Sequence, residues 1–147
     1  MPNDIIQGAK HSQIDDIIII EEESYNRPWT KKHFENDINH PLAFNYVYIQ
    51  NNKLVGYLFG YLIDDEYHLN KITVKSSHRG KNIGKNLILY CSKKLKYKRV
   101  KCILLEVSSL NLIAQKFYKR MNFTYIGSRK DYYSKDENAL LYNLRIK

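Results

Sequence analysis

The segment HRGKNIGKNL, His78 to Leu87, joins a run with strand-like alternation to one with helical spacing. Gly80, Asn82 and Gly84 can leave backbone amides uncovered there, and Arg79, Lys81 and Lys85 add positive charge beside a helix start. A helix N-terminus carries unpaired N–H groups and partial positive charge, so such a segment suits an anion. No Gly-Lys-Ser/Thr follows, which excludes a Walker loop, and the glycine spacing does not fit the dinucleotide fingerprint. A second reactive group lies in KCILLEVSS. Ile103, Leu105 and Val107 share one face of a strand there, and Leu104, Glu106 and Ser108 share the other. Glu106 is thus a carboxylate in the middle of an apolar strand, and it must be paired, hydrated or raised in pKa. A raised pKa suits a base that takes a proton from an ammonium. An ion pair with a lysine of a neighbouring strand, such as Lys71, is the structural alternative. Asn111 is placed to start the next helix, with Tyr118 two helical turns further on nearly the same face. Neither Cys91 nor Cys102 carries a nucleophile motif, which disfavours a covalent acyl-enzyme. The five histidines show no ligand spacing with Cys or Asp, and no metal is expected.

These groups need elements to hold them. The stripe Ile14, Ile17, Ile18 predicts a first helix, with Ser12 as its cap and Asp15 and Asp16 in its first turn. Thr30 is placed to cap a second, KKHFENDI, which ends before Pro41. FNYVYIQ and LVGYLFGYLI read as a hairpin around the turn Asn51-Asn52-Lys53, and YHLNKITVK as the next strand. Ile83, Leu87, Ile88, Cys91 and Leu95 form one helical stripe. KCILLEVSS is a strand, NLIAQKFYKRM a helix, and FTYIGS and ALLYNLRI two closing strands. The expected order is α-α-β-β-β-α-β-α-β-β, a mixed sheet with helices packed on it.

The 147 residues fit one domain, residues 1–147. No apolar run approaches the ~20 residues of a membrane span, and MPNDIIQGAKHSQ lacks the pattern of a secretory signal. Two cysteines are too few for a disulfide framework and point to a reducing, cytoplasmic setting. The 24 Lys and Arg exceed the 15 Asp and Glu, a formal +9 that favours acidic partners such as nucleotides, nucleic acid or a ribosome surface. Much of that excess lies in KKLKYKRVK, Lys93 to Lys101, which also reads as a solvated helix end.

The loop RGKNIG, preceded by ITV, resembles the acyl-CoA binding motif of the GCN5-related N-acetyltransferases, the GNAT family. That motif has Arg or Gln, two residues, Gly, one residue, then Gly or Ala. Asn82 stands where the family has its first glycine, and asparagine is the side chain that best tolerates the positive φ needed. LLEVSSLNLIAQKFYKRMNF is similar to the family's later strand and helix, with Asn122 at another usual glycine. EEESYNRPWT and KDYYSKDENALLYNL resemble the corresponding segments of the ribosomal-protein alanine (RimI-type) and related protein N-terminal acetyltransferases. Tyr25 for Phe, Arg27 in a commonly uncharged place, and Lys71 where relatives have Asn or Ser are departures.

The resemblance implies an α/β (α+β) GNAT fold. Its sheet is mixed, mostly antiparallel and splayed in the middle, flanked by about four helices. Acetyl-CoA would lie in the splay, held by Ile72, Thr73 and Val74, by the loop Arg79, Gly80, Lys81, Asn82, Ile83, Gly84 and Lys85, and by Asn111 and Tyr118. Glu106 would be the base, with His68 as the alternative, and Tyr118 would protonate the leaving thiolate. Tyr25, Pro28 and Trp29 would face Tyr132 and Tyr133 across a narrow slot for a protein or peptide N-terminus. The ribosome or an auxiliary subunit is a further candidate partner; no specific nucleic-acid site, no membrane and a monomer are expected. The same chemistry on a small amine or lysine side chain, and a noncatalytic RNA- or ribosome-binding module, are the alternative readings.

Overall fold

The computed structural model describes residues 3–147. Seven strands form one sheet in the order β1-β2-β3-β4-β5-β7-β6. They are β1 (Asp4–Gly8), β2 (Tyr46–Gln50), β3 (Lys53–Ile63), β4 (Glu66–Val74), β5 (Cys102–Ser108), β6 (Thr124–Ser134) and β7 (Glu137–Arg145). Among the described residues four α-helices accompany them: α1 (Ile14–Ser24), α2 (Lys31–Ile38), α3 (Ile83–Tyr97) and α4 (Leu112–Arg120). The sheet is antiparallel except for the β4–β5 pair. None of the helices among the described residues is long and apolar enough to cross a membrane.

Strand β1 departs from the expected order. Its only apolar residues, Ile5 and Ile6, are adjacent, so no alternation marks it, and it is held by pairing with β2 from Asp4↔Gln50 to Gly8↔Tyr46. Ser12 does not cap α1. It lies in a 3₁₀ turn (His11–Gln13), where the Gln13 side chain accepts the Lys10 N–H at 2.8 Å. Thr30 does cap α2, its hydroxyl accepting the His33 N–H at 3.2 Å. Asn51 and Asn52, at φ 51° and 64°, make the tight hairpin turn between β2 and β3.

Each face of the sheet buries its own core. Ile14, Ile17, Phe34, Val47, Tyr57 and Phe59 pack beneath α1 and α2. Leu58, Tyr67, Leu87, Leu95, Ile103 and Leu105 pack on the other side, under α3, with Tyr118 and Phe123 joining them from the α4 end. Burial of such side chains contributes about 1.5–3 kcal/mol each.

The sheet parts between its two middle strands. The β4–β5 ladder runs from Glu66↔Cys102 to Leu69↔Leu105 and ends there, while β4 continues to Val74 beside β3 and β5 to Ser108 beside β7. At the point of separation the β3–β4 register slips by one: Phe59 faces Lys71 but Gly60 faces Leu69, leaving Asn70 as the extra residue. A bulge of this kind bends its strand away from the neighbour it would otherwise follow. Gly60 makes the geometry possible. A Cβ there would lie 2.5 Å from the Tyr67 ring and would collide with the His68 carbonyl. The Tyr67 hydroxyl runs past this point to donate to the Phe44 carbonyl at 2.6 Å, and the Gly60 N–H donates to Asn45 Oδ1 at 3.0 Å.

Gly60→Ala is therefore expected to cost about 1–3 kcal/mol through overpacking. Gly8→Ala, whose Cβ would meet only a carbonyl at 4.0 Å, should leave the urea midpoint nearly unchanged. Equal midpoints for the two variants would show that the crossing of Tyr67 over Gly60 does not constrain the sheet.

Candidate active site

Backbone alternation decides what the parted edge of β4 offers. The Lys75 N–H donates to the Val55 carbonyl at 2.8 Å, so Lys75 and Thr73 turn their peptide groups toward β3. Ile72 and Val74 turn theirs the other way, into the gap. Two contacts agree with this. Arg79 Nε donates to the Val74 carbonyl at 3.0 Å, and the Tyr25 hydroxyl lies 3.5 Å from the Ile72 carbonyl.

Beyond β4 the chain turns into α3 through two left-handed residues, Gly80 (φ 77°) and Asn82 (φ 64°). Asn82 is the N-cap of α3, yet its side chain caps nothing. The first-turn amides at Ile83, Gly84 and Lys85 therefore lack a side-chain acceptor among the described residues, and Arg79, Lys81 and Lys85 stand exposed around them. Gly84 lets this helix start lie against α4, since a Cβ would come within 3.2 Å of Phe117 Cζ. Asn111 starts α4 by accepting the Ala114 N–H at 3.1 Å on Oδ1, which leaves its amide NH₂ as the free end.

Tyr118 is buried with 8% of its surface exposed, packed edge-on to Phe117 and Phe123 with ring centroids 5.4 Å away in each case. Burial raises its pKa, and the nearby phenols of Tyr25 and Tyr133 raise it further. The hydroxyl thus stays protonated. Glu106 projects from the opposite face of β5 to Ile103, Leu105 and Val107. Its partner is Arg129 Nη2 at 3.5 Å, and 31% of its side chain remains exposed. Of the alternatives open in the sequence, pairing and hydration both hold, but the cation is Arg129 and not Lys71.

Glu106 and Arg129 line a cleft of about 480 Å³ together with His68, Asn70, Tyr132 and Tyr133. His68 Nε2 makes no hydrogen bond among the described residues and lies 3.8 Å from Glu66 Oε1, too far for one. The Tyr132 and Tyr133 rings meet edge to face at 5.2 Å. Tyr25 stands on the α1–α2 connection, its hydroxyl 2.7 Å from Thr73 Oγ1. Pro28 is exposed. Trp29 turns inward, stacked on His33 at 3.8 Å.

Two functional groups escaped the sequence reading. Glu21 is completely buried and accepts from the Trp29 N–H at 2.8 Å, from the Tyr57 hydroxyl at 2.6 Å and from the Lys71 ammonium. Lys71 in turn lies 4.0 Å from the Tyr25 ring centroid and 4.4 Å from that of Trp29. Burial lowers the Lys71 pKa, and Glu21 opposes that shift. The signal for Glu21 was present: it continues the Ile14, Ile17 stripe at helical spacing, and a carboxylate on a buried stripe requires partners. Arg129 had no such signal, because it lies in a bulged and almost wholly exposed strand.

The sequence profile of the acetyltransferase (GNAT) family matches residues 14–123. The chain belongs to the GNAT family. A Bacillus subtilis protein provisionally named as a ribosomal protein bS18-alanine N-acetyltransferase is 30% identical over 138 residues, covering 92% of this chain and 91% of that one. Among solved structures, the Escherichia coli ribosomal-protein-S18-alanine N-acetyltransferase superposes with a TM-score of 0.90 at 23% identity, covering 98% of this chain and 94% of that one. An aminoglycoside 6′-N-acetyltransferase complexed with coenzyme A superposes at 0.87 with 15% identity, covering 97% of each. The chain is accordingly an N-acetyltransferase with the fold of that family.

A thermodynamic cycle tests the buried pair. Lys71→Met leaves the Glu21 carboxylate uncompensated and should destabilise by about 3–5 kcal/mol. Adding Glu21→Gln to it should recover part of that loss in urea unfolding. Strictly additive losses would mean that the two charges are not coupled.

Proposed function

We propose that this enzyme transfers the acetyl group to the α-amine of a protein or peptide N-terminus by direct attack, within a single acetyltransferase domain spanning the chain. The observation that carries the reading is the gap between β4 and β5, with Tyr118 packed on one side of the sheet and Glu106 opening on the other. A donor and an acceptor can meet through such a gap without sharing a pocket.

Fit to the donor rests on N–H groups that find no acceptor among the described residues. The uncapped amides of Ile83, Gly84 and Lys85, with Arg79 and Lys81 beside them, suit a pyrophosphate. The inward-turned N–H groups of Ile72 and Val74, flanking Thr73, suit an amide-bearing arm laid along the strand, and the free NH₂ of Asn111 suits its far side. Acetyl-CoA supplies the activated acetyl group as a thioester.

Glu106 takes the proton from the incoming ammonium, directly or through a water, and His68 on the same cleft wall is the alternative acceptor. Substrate entry must displace or share the Arg129 guanidinium. Tyr118 donates to the departing sulfur. Its raised pKa exceeds the value near 8.5 of a free thiol, so the proton is shared as charge develops and is not released beforehand. Cys91 cannot replace this route with an acyl-enzyme, since burial pushes its thiol up to about 12.

For the acceptor, tyrosine walls at Tyr25, Tyr132 and Tyr133 offer apolar surface plus hydroxyls for a peptide backbone. Pro28 and Trp29 shape the connection that carries Tyr25. A cleft holding Arg129 does not suit a polycationic small amine. The names of the B. subtilis and E. coli relatives, which specify a ribosomal-protein alanine, support the same choice. The ribosome or an auxiliary subunit would then present the substrate.

Thiol release from acetyl-CoA with short peptides should require a free α-amine, and a free-lysine control should be inactive. Glu106→Gln and Tyr118→Phe should each lower turnover by about two orders of magnitude with donor affinity little changed. Turnover of the parent should not fall around pH 10 through loss of the Tyr118 proton, because the raised pKa keeps it bound there. Peptides with a blocked α-amine reacting as fast as free ones would overturn the acceptor assignment, and unaltered rates in both variants would overturn the residue roles.

A further inference from the structure

From Tyr67 to Leu105 the chain carries eleven Lys and Arg and no Asp or Glu. Two are neutralised, Lys71 by Glu21 and Lys101 by Asp65 at 2.8 Å. The rest divide between the two ends of α3. Lys75, Arg79, Lys81 and Lys85 lie at the N-terminal end, beside the uncapped amides. Lys93, Lys94, Lys96, Lys98 and Arg99 lie at the other. At 1.5 Å per residue, Lys96 is about 21 Å along the axis from Asn82, too far to serve the same pyrophosphate. All five are exposed, and none forms an ion pair among the described residues.

The helix dipole accommodates Lys94 and Lys96 in the last turn. It does not account for five cations within seven residues, which repel one another unless an external anion is present. Tyr97 stands among them with 80% of its surface exposed. Lysines around an open aromatic ring are what single-stranded nucleic acid uses: phosphates pair with the ammonium groups and a base stacks on the ring. A lipid surface would require an apolar face beside the lysines. The apolar stripe of α3, Ile83, Leu87, Ile88, Cys91 and Leu95, is spent on the sheet, leaving only Leu89 and Tyr97 as exposed large hydrophobics on this helix.

We infer that the C-terminal end of α3 and the turn after it, Lys93 to Lys101, form a docking face for single-stranded RNA, held by lysine–phosphate contacts and by stacking on Tyr97 without sequence readout. This face is separate from the transfer site and does not depend on which amine is acetylated there. It gives the enzyme a second hold on a substrate that is presented beside RNA.

The test is fluorescence anisotropy of the full chain with a labelled, mixed-sequence RNA of about 16 nucleotides, across about 50–200 mM salt. The triple variant Lys94→Gln, Lys96→Gln, Lys98→Gln should bind at least tenfold more weakly, with a log–log salt slope shallower by about two, at roughly 0.7 per lost contact. Tyr97→Ala should weaken binding about five- to hundredfold with the slope retained. Peptide acetylation and the circular dichroism spectrum should be unchanged in both, since the substituted side chains are exposed and remote from the cleft. No RNA binding by the parent at low salt would overturn the inference. So would variants that bind as tightly as the parent, or capture by phosphatidylglycerol vesicles in place of RNA. Peptide turnover, read on the same samples, keeps failure of this inference apart from failure of the acetyl-transfer reading.

Discussion

One extra residue in a strand sets the layout of this enzyme. The bulge at Asn70 bends β4 from β5 after only four paired positions, and it exists because Gly60 leaves room for Tyr67 to cross the sheet. A parallel pair that stayed zipped would satisfy its own amides and offer nothing. Once parted, it leaves the peptide groups of Ile72 and Val74 pointing into a space flanked by the start of α3. The N–H groups of a helix tip and of a strand edge thus lack acceptors among the described residues, and a long, phosphorylated, amide-bearing molecule can supply them.

The same separation places different groups on the two faces. Tyr118 is held in the core beneath α3 and α4, where burial keeps its proton in place. Glu106 is on the open face with His68, Arg129 and the tyrosine pair. The α1–α2 connection is fastened over that open face by a carboxylate with three donors. Glu21 gathers Lys71 from β4, Tyr57 from β3 and the Trp29 backbone, and Lys71 lies against the rings of Tyr25 and Trp29. Breaking that buried pair would loosen the wall that carries Tyr25 as well as the fold.

Much of this was legible in the residues themselves. Alternation in FNYVYIQ and LVGYLFGYLI, the stripe from Ile83 to Leu95 and the caps Thr30 and Asn111 gave their elements, because each is a local preference that packing reinforces. Asn82 and Asn122 took up positive φ, 64° and 69°, as their positions required. The strand at Asp4–Gly8 was not legible, since two adjacent isoleucines carry no period and only pairing with β2 makes them a strand. Ser12 lost its expected role because a 3₁₀ turn, closed by Gln13, precedes the helix. Arg129 beside Glu106 follows from a register slip in β6, and Glu21 with Lys71 from a contact fifty residues apart in the chain. Long-range pairings of this kind leave no trace in local spacing.

Residue-resolved amide exchange of the free chain and of the chain saturated with coenzyme A addresses the central claim most directly. The account predicts that the amides of Ile72, Val74 and the first turn of α3 slow markedly when coenzyme A is added, while Thr73, already turned toward β3, changes little. Coenzyme A binding that leaves Ile72 and Val74 exchanging as before, or that protects a different part of the chain, would contradict it.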